Sequence, residues 1–320
     1  MKEQKIILIF YAKFNPPTNF HILLIKKIIK KINPNKIFIA IDRNKTKVDH
    51  EIFPPFSYHK QMIKNLIVEN KINCNLFDFF ENFNINNVNK YKNNKIYFLI
   101  DTEKIKLLQK NKKITKIKQF VNFICYHSKK NETKNFIYFD KKVLGKTNID
   151  YIKNNHLYLE HVIKNKLPLS RYLHTLRVLD TATKIGYGNN FNDKEILQVQ
   201  IAAILHDIGK TYSDEQIRKI LSNNQLKWFP TIHCAHGLIG AKIAKNQYSI
   251  SDKTILVAIA NHVICKDDSK VTKALFCADK LEPTRTKKDI PHRLQLYHKC
   301  INNGLNKIFQ KVITLNKEKY

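Results

Sequence analysis

The stretch Ile196-Leu-Gln-Val-Gln-Ile-Ala-Ala-Ile-Leu205 closes on His206 and Asp207, and nothing else in the sequence constrains the fold as strongly. So long an apolar run predicts a buried helix. Two ionisable residues at its end cost roughly a few kcal/mol unless they are paired or bound to a metal. Gly209, just beyond, is the expected helix stop. The same setting recurs along the chain. His174 lies in Arg171-Tyr-Leu-His-Thr-Leu-Arg-Val, and His236 opens Ala235-His-Gly-Leu-Ile-Gly-Ala241. His262 closes Ile259-Ala-Asn-His262, and Asp279 ends Leu275-Phe-Cys-Ala-Asp279. Any one of these reads as a hydrogen-bonded core residue. Four histidines and two aspartates in this order, each in an apolar helical setting, point to a metal centre of imidazole and carboxylate.

The two halves of the chain have different rhythms. In the first, apolar runs at 5–10, 36–41, 75–80, 96–100 and 120–126 predict buried strands, and 21–32 and the region around 63–67 have helical spacing. That alternation predicts a parallel sheet covered by helices. From about residue 157 the strands fade. Helices are expected at 172–185, 193–208, 214–221, 237–244, 253–262, 272–281 and 294–313. The expected organisation is α/β followed by all-α: a Rossmann-like domain over 1–155 and a helical domain over 156–320.

The formal net charge is +31, which favours polyanionic ligands through steering. Lys, Asn and Ile rise together throughout, as A/T-rich codons would dictate, so the charge alone does not argue for nucleic-acid binding. Six cysteines form no C-x-x-C pair, so no zinc ribbon or thioredoxin motif is expected. No run approaches the ~20 apolar residues of a membrane span. The first ten residues do not read as a signal peptide, and a cytoplasmic location is the default expectation.

The order H…HD…H…H…D resembles the HD superfamily of metal-dependent phosphohydrolases. Leu205-His-Asp-Ile-Gly-Lys210, His236-Gly-Leu-Ile-Gly-Ala241 and Ala278-Asp-Lys-Leu-Glu-Pro-Thr-Arg285 narrow the resemblance to the YqeK family of symmetrical diadenosine tetraphosphate hydrolases. It covers roughly 157–320. The family tends to follow its fourth histidine with Thr-Thr-Gly, whereas Val263-Ile-Cys-Lys stands here. The resemblance implies one metal on His174, His206, Asp207 and Asp279, and a second on His236 and His262, with Asp207 bridging. Such ligands suit Fe, Mn or Zn, with Fe or Mn expected. A pair of divalent ions would activate water and clamp the attacked phosphoryl oxygens, releasing two ADP. Asp207 is then central to catalysis, and Lys210 and Arg285 are candidate polyphosphate contacts.

Residues 5–21, with Phe14-Asn-Pro-Pro17 and His21, resemble the start of bacterial nicotinate-nucleotide adenylyltransferases, and the likeness spans about 1–155. That family uses a Gly-Gly turn and a His-x-Gly-His helix start to hold a triphosphate. Here Tyr11-Ala-Lys13 replaces the turn, Thr18 stands for the first histidine and Phe20 for the glycine. Asp150 replaces a phosphate-binding arginine. The resemblance therefore implies a degenerate domain, in which Thr18 and His21 mark at most a weak nucleotide site. Two alternatives stay open: a bifunctional protein that also adenylylates nicotinate mononucleotide, and an RNA-binding protein with a vestigial HD site. The sequence does not decide between monomer and homodimer.

Overall fold

The computed structural model describes residues 4–43, 52–72, 77–80, 88, 90–110, 118–127, 140–284 and 290–317. The chain divides into two compact units, Met1–Asn155 and His156–Tyr320.

The first unit is built on a five-stranded parallel sheet. Its strands are β1 (Ile6–Ala12), β2 (Lys36–Ile41), β3 (Phe77–Phe80), β4 (Lys95–Asp101) and β5 (Val121–Tyr126), in the order β3-β2-β1-β4-β5. Both faces of β1 are buried because successive side chains point to opposite sides of the sheet. Ile7, Ile9 and Tyr11 pack with Phe98, Ile100 and Ile105, whereas Leu8, Phe10 and Ala12 pack with Ile25, Ile28 and Ile63. Helices α1 (Asn19–Ile32) and α2 (Phe56–Glu69) supply the second cluster, and α3 (Thr102–Lys110) the first. The unit ends on α4 (Lys141–Leu144) and α5 (Lys146–Asn154). The sequence pattern foretells all five strands but not α3, α4 or α5, which are short and charged. Strand order reverses between β1 and β4, the place where open sheets of this kind form their ligand crevice.

The second unit is all helix: α6 (Leu159–Ile163), α7 (Leu169–Gly188), α8 (Asp193–Leu205), α9 (Asp214–Ile220), α10 (Asn223–Leu226), α11 (His236–Gln247), α12 (Lys253–Asn261), α13 (Lys270–Leu281), α14 (Ile290–Lys299) and α15 (Leu305–Lys317). Helix α8 is the buried centre, with every residue from Ile196 to Leu205 buried. It packs on α7, α12 and α13. Its start is fixed by a reciprocal cap, in which Glu195 N–H donates to Asn192 Oδ1 (3.0 Å) and Asn192 N–H to Glu195 Oε2 (2.9 Å). Gln198 then donates to Asp252 Oδ2 at 2.8 Å, tying α8 to the cap of α12.

Two expected helices are cut short or broken. Helix α8 stops at Leu205 rather than 208, and Ile208–Thr211 forms a tight 3-10 turn. The expected 294–313 helix is two helices, α14 and α15, broken at Cys300–Gly304, where Asn302 and Asn303 leave helical geometry. Gly209 also differs from expectation. It lies inside the 3-10 turn rather than at the helix stop; a Cβ there would lie 2.1 Å from His236 O and 2.8 Å from Gly240 N. Its role is to let the turn after Asp207 touch the start of α11. The cysteines described (Cys125, Cys234, Cys265, Cys277 and Cys300) form no disulfide. No described helix is long and apolar enough to cross a membrane.

Candidate metal centre

Five helices deliver the six residues to one place. His174 comes from the second turn of α7, and His206 and Asp207 follow α8. His236 opens α11, His262 follows α12 and Asp279 sits in the last turn of α13. Ligand atoms of His174, His206 and Asp207 lie within 4.8 Å of one another, and so do those of Asp207, His236 and His262. Asp207 is common to both groups. Its Oδ1 is 3.5 Å from His206 Nε2, 3.4 Å from His236 Nε2 and 3.6 Å from His262 Nε2. Asp279 Oδ1 completes the first group, 3.1 Å from His174 Nε2 and 3.9 Å from His206 Nε2.

Position at helix ends explains the orientation of three rings. His206, His236 and His262 each place Nδ1 against the carbonyl three residues earlier: Ala203 O at 2.8 Å, His233 O at 2.6 Å and Ile259 O at 2.7 Å. A carbonyl can only accept, so the proton sits on Nδ1 and the Nε2 lone pair faces the centre. His233 itself is exposed and paired with Asp214 at 3.3 Å; its contribution is its carbonyl. His174 has no helix end to use. Its Nδ1 faces Glu282 Oε1 at 3.3 Å.

The electrostatics fit a cation. Burial pushes the His206 imidazole down to about 3, and burial also lowers His236, so both rings are neutral at pH 7. Burial would raise the Asp207 carboxyl, but the polar and charged groups around it, the Lys210 ammonium among them, hold it well below the usual range. Burial likewise opposes ionisation of Glu282, yet bonds from His174 and Thr284 and the Arg177 charge bring it to about 2. Among the described residues, His206 Nε2 and Asp207 Oδ1 are buried without a hydrogen-bond partner. Both face the centre, and a divalent ion would satisfy them. Asp207 Oδ2 points the other way, accepting from Arg171 Nη1 (3.1 Å) and Lys210 Nζ (2.9 Å). Both cationic side chains are about one third exposed, at 33% and 30%.

Residues 171–284 match the HD domain family. A Mycoplasma genitalium protein described as "Probable nicotinate-nucleotide adenylyltransferase/Ap4A hydrolase" is 31% identical over 322 residues, covering 88% of this chain and 89% of that one. The chain belongs to that family. A Staphylococcus aureus "Bis(5'-nucleosyl)-tetraphosphatase, symmetrical" is 35% identical over 135 residues, 40% of this chain and 66% of that one. A Staphylococcus haemolyticus "Probable nicotinate-nucleotide adenylyltransferase" is 24% identical over 182 residues, 53% of this chain and 90% of that one. The helical unit is thus an HD-type hydrolase domain whose buried His/Asp clusters can hold divalent metal.

The adenylyltransferase-like unit of this family member carries an aromatic cluster where β1 meets α1. Phe10, Phe14, Phe20, His21 and Tyr126 form ring contacts at the carboxyl ends of β1 and β5 and the start of α1, with centroids 4.8–6.1 Å apart. Thr18 caps α1 and donates its backbone N–H to His21 Nδ1 at 3.1 Å. Burial lowers His21 to about 4, so it carries no charge for a phosphate at neutral pH. The start of α5 is engaged too. Lys146 and Thr147 donate their backbone N–H groups to the Glu69 carboxylate at 2.9 and 3.2 Å. Asp150 is exposed.

Sequence reasoning missed Arg171, Arg177, Glu282 and Glu69 as functional groups. Arg171, His174 and Arg177 share one broad face of α7 by their three-residue spacing, a signal that was available. Arg285 lies outside the described residues.

Proposed function

We propose that the helical unit hydrolyses dinucleoside polyphosphates symmetrically, turning diadenosine tetraphosphate and water into two ADP. The carrying observation is the single oxygen of Asp207 shared by two histidine clusters, with the Nε2 atoms of His206, His236 and His262 within 3.4–3.6 Å of it. That donor set suits a pair of divalent ions, with Fe or Mn as the favoured metals. His174, His206, Asp207 and Asp279 would hold one, and Asp207, His236 and His262 the other. Bound there, the ions would supply an acidified water and withdraw charge from the attacked phosphoryl group.

The chain's own residues do the rest. Arg171 and Lys210 anchor Asp207 Oδ2, which keeps Oδ1 turned towards the histidines. Their exposed portions put positive charge at the edge of the centre, suited to a polyphosphate. Arg285, in the same Glu-Pro-Thr-Arg segment as Glu282, is a further phosphate contact in this reading. Attack at the central anhydride adds the water oxygen to one phosphorus, breaks the P–O bond and leaves an ADP on each side. The α/β unit acts as a partner domain without adenylyl transfer; the support for this is that His21 is neutral and packed on Phe14, and that the α5 amides of Lys146 and Thr147 are engaged by the Glu69 carboxylate. The likeness to enzymes named for nucleotide substrates supports action on a free nucleotide, and a cytoplasmic location belongs to the same reading.

The test is product analysis of the full chain with diadenosine tetraphosphate and Mn(II) or Fe(II), with and without chelator. Chelator-sensitive release of ADP alone is expected. Release of AMP and ATP would overturn the symmetrical reading, and no turnover by metal-loaded protein would overturn the substrate.

A further inference from the structure

Three of the four histidines of the centre are oriented by backbone carbonyls, whereas His174 turns its Nδ1 to the Glu282 carboxylate. We infer that Glu282 is the positioning residue for His174, and that it sets the affinity of the first metal position separately from the second. This rests on the two-metal reading above.

The Glu282 carboxylate is buried and held from three directions. Arg177 Nε donates to Oε2 at 3.0 Å, the Thr284 backbone N–H donates to Oε2 at 3.0 Å, and the Thr284 hydroxyl lies 3.0 Å from Oε1 and 2.9 Å from Oε2. With those contacts made, Oε1 faces His174 Nδ1. A carboxylate accepting from Nδ1–H fixes the tautomer that leaves the Nε2 lone pair towards Asp279 and the centre. It also makes the imidazole a stronger donor than a carbonyl partner does. The link is economical in sequence: Asp279 and Glu282 stand one helical turn apart, so one ligand and the support of another come from the end of α13. Among the described residues no carboxylate meets Nδ1 of His236 or His262, whose support is the backbone carbonyl three residues earlier. Loss of Glu282 should therefore weaken one ion and spare the other.

The experiment is Mn(II) titration of metal-depleted full chain, with free Mn(II) counted by EPR and bound Mn(II) read for spin coupling. Wild type is expected to take two ions and give the coupled signal. Glu282→Gln keeps the size and an acceptor but removes the charge; it is expected to bind one ion as wild type does and the other 10–100-fold more weakly, on the order found for such outer partners, giving an isolated-ion signal at one equivalent. Thr284→Val leaves the carboxylate in place and removes one of its supports, and is expected to shift the same ion by a smaller factor, which covers the case of a poorly folding Glu282 variant. Two ions bound with wild-type affinities by both variants would overturn the role of Glu282 and leave the metal centre standing. A wild type that binds fewer than two ions would overturn the two-metal reading and this inference with it.

Discussion

His236 and His262 face each other through their Nε2 atoms at 3.1 Å, although each ring gives its Nδ1 proton to a backbone carbonyl. Two lone pairs held at that distance repel unless a proton or a cation lies between or beside them. Asp207 Oδ1, only 3.4 Å from His236 Nε2, adds a further acceptor to the same space. The folded helical unit thus holds a preformed, strained ligand set whose relief is metal binding.

Metal should accordingly act as a folding ligand. An ion that binds only the folded chain stabilises it by about 4 kcal/mol at a thousand times its Kd, which for a unit of this size is a rise of roughly 10 °C in Tm. Thermal unfolding of metal-depleted protein with increasing Mn(II) measures this. A Tm that does not respond to metal would show that the cluster is satisfied without it.

Asp207→Ala removes the oxygen common to both groups and leaves Arg171 and Lys210 without their acceptor. The expected result is loss of both ions and a fall in kcat/KM of at least about 10³-fold, the scale of deleting a main electrostatic element. Metal analysis and steady-state kinetics on the same preparation check it. Wild-type activity and metal content in this variant would remove Asp207 from the centre.

Much of this was legible in the sequence, for physical reasons that differ from residue to residue. His206, Asp207 and Asp279 stand out because polar residues at the ends of apolar helices need a partner, and the apolar pattern locates those ends. The five strands are legible because a sheet covered on both faces needs uninterrupted runs such as Lys36–Ile41. Glu69 was hidden because its partners Lys146 and Thr147 lie far along the chain, and no local period links them. Glu282 was hidden because its partners His174 and Arg177 reach it from α7, far back along the chain. Gly209 was misread because a glycine after an apolar helix suggests its stop, whereas the requirement here is contact with α11.

The α/β unit should weaken in mild acid. His59 is fully buried, its Nε2–H donates to Phe14 O at 2.6 Å, and burial lowers it to about 3; His21 is lowered to about 4. In both cases the folded state favours the neutral ring, while the unfolded chain takes a proton near pH 6.5. Stability is therefore intact above about pH 6.5 and declines as the pH falls towards 3–4. The slope from His59 is at most about 1.4 kcal/mol per pH unit. Amide exchange along β1 and α2 between pH 7.5 and 4.5 follows the unit directly. His59→Gln keeps a donor for Phe14 O and should flatten the profile; an unchanged profile would assign the acid sensitivity elsewhere.

Gly209→Ala tests whether close helix contact builds the second metal position. The new Cβ would meet the carbonyl oxygen of His236 at 2.1 Å and the amide nitrogen of Gly240 at 2.8 Å. Both are backbone atoms, so no side chain can swing aside and α11 must shift. His236 opens that helix and Asp207 lies just before the glycine, so the shift separates two ligands of one ion. The expected cost is about 1–3 kcal/mol, the usual range for overpacking, together with loss of the ion at His236 and His262 and retention of the one at His174. Gly188→Ala is the matched control. Its Cβ would meet Ile301 O at 1.6 Å, at the far end of α7 from the ligands, so it should lose stability at least as severely while both ions still bind. If Gly209→Ala instead kept both ions at wild-type affinity, the centre would tolerate displacement of α11, and the close approach at Gly209 would be a matter of packing alone.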